Sequence, residues 1–222
     1  MKNEKLYYFK KPNLYCITAE NFSLGRKNIE VVEIMLDAGV KIIQYREKKK
    51  SLREKYKEAL ALRDLTLKYK AVLIINDHLD LCKMVEGDGV HLGQDDYPLS
   101  SAREFLGENY IIGITVHNKE QVIKAYEEGA DYIGLGPIFE SYTKENPHPP
   151  IGLEILKWAT SHINIPIVAI GGINEHNLPL VLKNGGKCIA MVREIVSSEN
   201  IKEKIEKIFK ILEEYEHGKN NS

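Results

Sequence analysis

Short runs of apolar and β-branched residues recur along the chain and alternate with longer segments of mixed polarity. Because few polar residues interrupt these runs, each one is typical of a parallel strand that is buried on both faces. The eight predicted strands cover residues 14–18, 41–46, 71–76, 89–92, 111–115, 132–135, 166–170 and 188–192.

The intervening segments predict amphipathic helices, because their apolar residues recur about every 3.6 positions and charged residues occupy the other face. Two examples are Val31, Ile34, Met35 and Ala38, and then Leu60, Leu62, Leu65 and Tyr69. Eight strands alternating with helices predict an α/β fold of the (β/α)8 class, a TIM barrel. A doubly wound open sheet remains open, although no GxGxxG follows the first strand and polar residues end many different strands.

No repeat, low-complexity tract or Pro/Gly/Ser-rich linker divides the chain, so we expect a single domain over residues 1–222. Within it, the barrel is expected at about 13–216, preceded by an expendable extension at 1–12 and followed by a flexible tail at 217–222.

Charge and composition exclude several classes of protein. Lysine plus arginine number 31 against 32 acidic residues, so no general basic field predicts binding to nucleic acid. The longest apolar runs fall short of the roughly 20 residues of a membrane span, and residues 1–11 do not resemble a secretory signal. We therefore expect a cytoplasmic protein, with Cys16, Cys82 and Cys188 as buried, unpaired side chains.

Candidate chemistry begins at the end of the second strand. Alternation along the strand points Gln44, Arg46 and Lys48 the same way, so that an amide and two cations converge into an anion clamp suited to pyrophosphate. The competing interpretation is that residues 48–50 are merely a solvated run of charge.

Oxygen ligands follow the third and fourth strands. Asn76 and Asp77 end one, and residues 91–96 follow the other with Asp96 at their end. Asp77 and Asp96 are candidates to hold Mg2+ together with substrate phosphates, because this ion prefers oxygen ligands. The alternative makes Asp77 a helix N-cap and residues 95–98 a simple turn.

The later strands add hydroxyls, a cation and bare amides. Thr115 ends the fifth strand, and a long polar loop at 140–150, typical of an active-site lid, supplies Ser141, Thr143 and Lys144. Gly171 and Gly172 follow the seventh strand and precede a helix, so their amides are candidates to cradle a phosphate at its N-terminus.

In order and spacing, these segments resemble the thiamine phosphate synthase family, and the resemblance extends from residue 14 to about 192. It is carried by QYREK at 44–48, ND at 76–77, GVHLGQDD at 89–96 and GLGPIFESYTK at 134–144. The resemblance implies a magnesium-dependent transferase that joins hydroxymethylpyrimidine diphosphate to a thiazole phosphate and releases pyrophosphate. Small molecules are thus the expected partners, with no nucleic acid and no membrane; a homo-oligomer is compatible.

The resemblance also implies a role for each residue. Asp77 and Asp96 bind Mg2+; Lys144 contacts the departing pyrophosphate; Thr115 stands where the family has a serine near the diphosphate. Ser141 and Thr143 grip the thiazole phosphate with the amides of Gly171 and Gly172. The residues implied to hold the pyrimidine diphosphate are Gln44, Arg46, Lys48 and Asn76. The implied chemistry is dissociative, with the pyrimidine C–O bond ionising before the thiazole nitrogen captures the cation.

Two segments depart from the family pattern. Arg193-Glu194 replaces a small, serine-containing stretch after the eighth strand, and Glu194 is expected to oppose an anion there. Ala19-Glu20 stands where the family commonly has an aspartate.

Three other functions remain open. A related branch, the thiazole tautomerases, uses a histidine and no metal, and His117 lies where that histidine falls. A non-catalytic binder of thiamine precursors fits the departure at Arg193-Glu194. A different phosphate-handling barrel isomerase is the third alternative, because fold alone does not fix function.

Overall fold

A computed structural model describes residues 2–141, 143 and 148–220. Its strands form a closed parallel barrel in sequence order, with β1 pairing to β8 to complete the circle. The strands are β1 Asn13–Ile17, β2 Ile42–Tyr45, β3 Val72–Asn76, β4 Gly89–Leu92, β5 Ile111–Val116, β6 Tyr132–Leu135, β7 Ile167–Ile170 and β8 Cys188–Met191. The predicted (β/α)8 fold is confirmed, and the open-sheet alternative is wrong because β1 and β8 are hydrogen-bonded.

Helices cover the outside of the barrel between successive strands. They are α1 Lys2–Lys10, α2 Asn28–Asp37, α3 Leu52–Lys68, α4 Leu79–Met84, α5 Leu99–Leu106, α6 Lys119–Glu127, α7 Leu153–His162, α8 Leu178–Lys183, α9 Arg193–Val196 and α10 Ile201–Asn220. A short 3-10 helix, Glu20–Phe22, follows β1.

The predicted apolar face of α2 is confirmed, with Val31 and Met35 buried. In α3 the prediction for Leu60 is wrong, because this side chain is exposed. The face that packs on the barrel is instead spaced through Ala59, Leu62 and Thr66, which are buried at intervals of three and four residues.

Two apolar clusters make up the core. The larger fills the layer between the strands and the helices, as expected for this fold. The smaller fills the barrel interior, where every second residue of a strand points inward, as with Val72 and Ile74 of β3 or Cys188 and Ala190 of β8.

Helix α1 closes the N-terminal end of the barrel, contrary to the expectation of an expendable extension at 1–12. Phe9 is 1% exposed, and its ring lies 4.7 Å from that of Tyr132 and 5.9 Å from that of Tyr15, centroid to centroid. Lys5 contacts Asp88 at 2.5 Å, and Lys2 contacts Asp131 at 2.6 Å. These contacts make α1 part of the folded core. At the other end, α10 continues to Asn220, so the last turns are helical through residues expected to form a flexible tail.

All three cysteines are buried and free, as the sequence predicted. Burial raises the pKa of Cys82 to about 12, so its thiol stays protonated and inert at neutral pH. No helix in the described parts of the chain is long and apolar enough to cross a membrane.

Candidate active site

A cavity of about 730 Å³ opens at the C-terminal ends of the strands, where barrel enzymes carry their chemistry. Eleven of the twelve residues predicted as site residues line it, namely Gln44, Arg46, Lys48, Asn76, Asp77, Asp96, Thr115, Ser141, Thr143, Gly171 and Gly172. The twelfth, Lys144, lies outside the described residues. The structure thus brings together side chains that are up to 128 positions apart, from 44 to 172.

The loop after β2 holds the two predicted cations of the anion clamp. The Thr18 hydroxyl accepts a hydrogen bond from the backbone N–H of Arg46 at 2.8 Å and donates to its carbonyl at 3.1 Å. Among the residues that the structure describes, none forms a salt bridge with the Arg46 guanidinium. A guanidinium on an anchored backbone, with no carboxylate partner among the described residues, is suited to bind an anionic ligand.

Within residues 48–50, Lys48 and Lys50 are paired with carboxylates, whereas Lys49 is exposed as a solvated charge would be. Lys48 turns into the cavity and forms an ion pair with Asp77. Lys50 turns the other way and contacts Glu20 at 2.7 Å and Glu58 at 2.8 Å. The second departure from the family pattern is thereby explained structurally, because Glu20 helps to anchor the loop that carries Arg46 and Lys48.

Asp77 does not cap a helix. His78 occupies the N-cap position of α4, and Asp77 itself adopts a left-handed backbone conformation with φ of 63°. Aspartate is one of the few residues that tolerate this conformation. The turn carries the Asp77 carboxylate towards the cavity, where it meets Lys48 from β2 and Asp96 from the loop after β4.

The two carboxylates influence each other. Burial acts to raise the pKa of Asp77, but the ion pair with Lys48 and the hydrogen bond with Asp96 outweigh it and hold that pKa below its ordinary value. Burial and the nearby charge of Asp77 raise the pKa of Asp96, against a hydrogen bond from the Gly93 amide at 2.6 Å. The site therefore concentrates negative charge that a cation would stabilise.

The donor set fits magnesium. No group of three or more His, Cys, Asp or Glu side chains in the described ranges forms a complete metal site. Magnesium does not require one, because it is commonly held by one or two carboxylates, with water and substrate phosphate oxygens filling the remaining positions. Asp77 and Asp96 meet that requirement with oxygen ligands from adjacent strands.

Thr115, near the end of β5, lines the cavity. Its hydroxyl is 2.8 Å from His91 Nε2, and its backbone carbonyl accepts a hydrogen bond from Gln94 Nε2 at 2.6 Å. His117, the candidate acid or base of the tautomerase alternative, lies two residues further on. Its Nδ1 is 2.5 Å from the Gly136 carbonyl oxygen, and its ring stacks on that of His148 at 4.0 Å between centroids.

The loop after β6 packs directly on the glycine pair after β7. Gly171 and Gly172 have φ of 100° and 64°, and a Cβ on Gly172 would lie 2.3 Å from the Glu140 carbonyl oxygen. Glycine is therefore required here for close approach of two loops. The expected helix N-terminus is wrong, because α8 begins only at Leu178. Any phosphate held by these amides would be bound by the loop rather than by a helix end.

The departure after β8 does not leave an unpaired carboxylate facing an anion, contrary to expectation. Glu194 contacts Lys204 at 2.9 Å, and Lys204 also contacts Glu175 at 2.9 Å. The guanidinium of Arg193 lies 4.7 Å from the centroid of the Phe22 ring and lines the cavity. The Arg193 guanidinium is thus a cation at this side of the cavity, while Glu194 is paired with Lys204.

Sequence reasoning missed three cavity residues that lie deeper in the barrel, namely Tyr15, His91 and Tyr132. The sequence feature that could have identified them is a polar side chain at an inward-facing position of a buried strand. A second feature is a glycine on the neighbouring strand, since a Cβ on Gly113 would lie 2.0 Å from the Tyr132 ring.

Fold and cavity together define a single-domain barrel enzyme whose polar residues collect at the C-terminal ends of the strands. The model of the family described as thiamine monophosphate synthase matches residues 14–195. A thiamine-phosphate synthase of Dictyoglomus thermophilum is 66% identical over 99% of this chain and 98% of its own length. One of Caldicellulosiruptor saccharolyticus is 62% identical over 98% of each chain.

A solved structure supports the same assignment. Thiamine phosphate pyrophosphorylase from Pyrococcus furiosus superposes with a TM-score of 0.85 at 36% identity, covering 93% of this chain and 98% of its own. The chain therefore belongs to the thiamine monophosphate synthase family, whose members are transferases.

Proposed function

We propose that this chain joins hydroxymethylpyrimidine diphosphate to hydroxyethylthiazole phosphate, giving thiamine phosphate and pyrophosphate with the help of Mg2+. The observation that carries the proposal is the convergence of Arg46, Lys48, Asp77 and Asp96 at one mouth of the barrel. A substrate that bears a diphosphate needs both cations for its oxygens and carboxylates for an accompanying metal ion.

The diphosphate would lie against the β2–β5 side of the cavity. Arg46 and Lys48 supply positive charge, Asn76 an amide and Thr115 a hydroxyl, and all four line the cavity. Lys48 would exchange part of its contact with Asp77 for diphosphate oxygens when the substrate binds. Gln44 lies deeper and is buried, which suits it to contact the pyrimidine rather than the phosphates.

Asp77 and Asp96 would hold the magnesium ion. When bound, Mg2+ would neutralise charge on the diphosphate and so favour its departure. Without a cation, burial and the Asp77 charge oppose the ionisation of Asp96, which is the electrostatic reason to expect affinity for a cation at this position.

The thiazole phosphate would lie on the β6–β8 side. Ser141, Thr143 and the amides of Gly171 and Gly172 line that part of the cavity, and Arg193 adds a cation at its edge. An arginine can bind a phosphate through two parallel hydrogen bonds, so the departure at residue 193 is compatible with this second substrate.

The chemistry proposed is dissociative. The C–O bond of the pyrimidine diphosphate breaks with its electron pair going to pyrophosphate, and the thiazole nitrogen then donates its lone pair to the resulting carbocation. No proton is transferred in forming the new bond, so this chain needs no general base. Its residues instead bind the two substrates side by side and stabilise charge on the leaving pyrophosphate.

The test is product formation from the two purified substrates, followed as thiamine phosphate and pyrophosphate, in Mg2+ or in EDTA. Wild-type protein and Asp80→Ala, an exposed aspartate of α4, are expected to give product only with Mg2+. Asp77→Ala is expected to lose most of that activity. Absence of product from folded wild-type protein with Mg2+ would contradict the proposal.

Neither the tautomerase nor the non-catalytic alternative is favoured. A tautomerase needs no paired carboxylates for a metal, and His117 is held against a backbone carbonyl. A non-catalytic binder was suggested by Arg193-Glu194, but Glu194 forms an ion pair with Lys204.

A further inference from the structure

A line of hydrogen bonds crosses the interior of the barrel beneath the cavity. Gln44 Nε2 donates to Tyr15 Oη at 2.7 Å, and Tyr15 Oη lies 3.0 Å from Tyr132 Oη. Tyr132 Oη lies 2.9 Å from His91 Nδ1, and His91 Nε2 lies 2.8 Å from Thr115 Oγ1. The line begins and ends at side chains of the candidate active site.

The packing of the barrel interior leaves space for the side chains of this line. A Cβ on Gly113 would lie 2.0 Å from Tyr132 Cζ, and one on Gly134 would lie 2.8 Å from His91 Cε1, so glycine at both positions makes space for the two rings. Phe9 packs against Tyr132 from the N-terminal end of the barrel. Tyr15 and Tyr132 are 1% and 0% exposed, and a buried hydroxyl needs a hydrogen-bond partner, which the neighbouring side chains of the line supply.

The protons in the line can be counted. Burial raises the pKa of both Tyr15 and Tyr132 far above neutrality, so each phenol keeps one proton to donate. Gln44 Nε2 is a donor that cannot accept, so of the two partners of Tyr15 Oη only Tyr132 can receive the Tyr15 proton. The Tyr132 proton must then go to His91 Nδ1, which has to be unprotonated to accept it.

We propose that this line is a one-way hydrogen-bond chain that holds His91 as the neutral Nε2–H tautomer and makes the Thr115 hydroxyl a donor into the cavity. His91 Nε2–H donates to Thr115 Oγ1, so the single Thr115 proton is left for a ligand. In the opposite direction Thr115 would donate to His91 and present only lone pairs, which repel an anion. His91, Tyr132 and Tyr15 are thus positioning residues for an oxyanion ligand.

The proposal depends on the proposed function only for the identity of that ligand as a diphosphate. Its first test therefore uses the free protein. In a nitrogen-15 correlation spectrum of histidine-labelled protein at pH 7, the His91 signals, assigned from their loss in His91→Gln, are expected to show a protonated Nε2 and an unprotonated Nδ1. A protonated Nδ1, as the reverse tautomer or as imidazolium, would overturn the proposal.

The second test measures the affinity for inorganic pyrophosphate with Mg2+. Thr115→Val removes the donor at nearly constant shape and is expected to weaken binding about tenfold, whereas Thr115→Ser retains binding to within about twofold. Equal affinity of Thr115→Val and wild type would overturn the donor role.

Tyr132→Phe links the two tests. It removes the donor to His91 Nδ1 and is expected to populate both His91 tautomers and to weaken pyrophosphate binding severalfold. Tyr215→Phe, which removes a hydroxyl that donates to the Leu182 carbonyl at 2.6 Å far from the cavity, is the matched control and is expected to change neither. If His91 kept the same single tautomer in Tyr132→Phe as in wild type, the proposed hydrogen-bond chain would be contradicted. Failure of the wild-type protein to make thiamine phosphate would instead contradict the proposed function and leave the spectrum unaffected.

Discussion

The two ends of the barrel differ in how their charged side chains are arranged. At the N-terminal end, helix α1 buries Phe9 and places Lys5 and Lys2 against Asp88 and Asp131, so that apolar surface is covered and charges are paired. At the C-terminal end, Asp77 and Asp96 lie together, and burial and the Asp77 charge raise the pKa of Asp96. We infer that the closed end carries stability and that the open end retains unbalanced charge for ligands.

The largest expected effect is on the closed end. Phe9→Ala leaves a cavity against the Tyr15 and Tyr132 rings and is expected to lower the free energy of unfolding by about 3–5 kcal/mol. Chemical denaturation measures it. Tyr7→Ala, at a position 60% exposed on the same helix, serves as the control and is expected to change stability little. Equal loss in both variants would mean that α1 acts through helix propensity alone.

The next effect is on the open end. Asp77→Asn keeps the shape of the side chain but removes a charge from the proposed metal site, and kcat/KM is expected to fall about a hundredfold. Steady-state kinetics with Mg2+ measures it. Asp80→Asn on the exposed face of α4 controls for net charge. A fall of less than a few fold in Asp77→Asn would remove this residue from the site.

A smaller effect is expected at Arg46. Arg46→Gln removes a cation that forms no salt bridge among the described residues, so the affinity for pyrophosphate is expected to fall about tenfold and to depend less on salt. Titration calorimetry at two ionic strengths measures both. Arg53→Gln, on the exposed start of α3, has the same change in charge and is expected to bind normally. Similar losses in the two variants would indicate a general field rather than a clamp.

The smallest effect concerns the anchor of the clamp loop. Burial acts to raise the pKa of Glu20, but Lys50 and the Asn28 amide outweigh it and lower that pKa below its ordinary value of 4.5. Ionised Glu20 therefore stabilises the fold above that value, and the contribution is lost as pH falls through the lower, folded-state pKa. The advantage in melting temperature of wild type over Glu20→Gln is expected at pH 7 and should shrink as the pH is lowered below 4.5. A difference that stays constant as the pH is lowered would contradict this origin.

The contrast between the two ends also explains what could be predicted from the sequence. Strand positions were recovered to within a residue or two because strands buried on both faces leave continuous apolar runs. The location of the site at the C-terminal end of the barrel was predictable because the C-terminal ends of parallel strands lie together. The ion pair between Lys48 and Asp77 is an example. In these cases local pattern and topology are sufficient.

Other features depend on contacts that no local pattern encodes. Helix α1 has only Leu6 and Phe9 buried among charged and tyrosine residues, and its position comes from partners as distant as Asp131. The hydrogen bonds through Tyr15, Tyr132 and His91 join three different strands. No pattern within any one strand predicts that these three polar side chains contact one another. The pairing of Glu194 with Lys204 likewise changes the interpretation of a charge that looked unfavourable in the sequence.

The most direct test of whether the closed end carries stability and the open end carries activity measures two quantities on the same preparations of Phe9→Ala and Asp77→Asn. These are the free energy of unfolding and kcat/KM for thiamine phosphate formation at a temperature where both variants are folded. Phe9→Ala is expected to lose stability and to keep kcat/KM within a few fold, while Asp77→Asn is expected to keep its stability and lose activity. Parallel loss of both quantities in both variants would contradict this expectation.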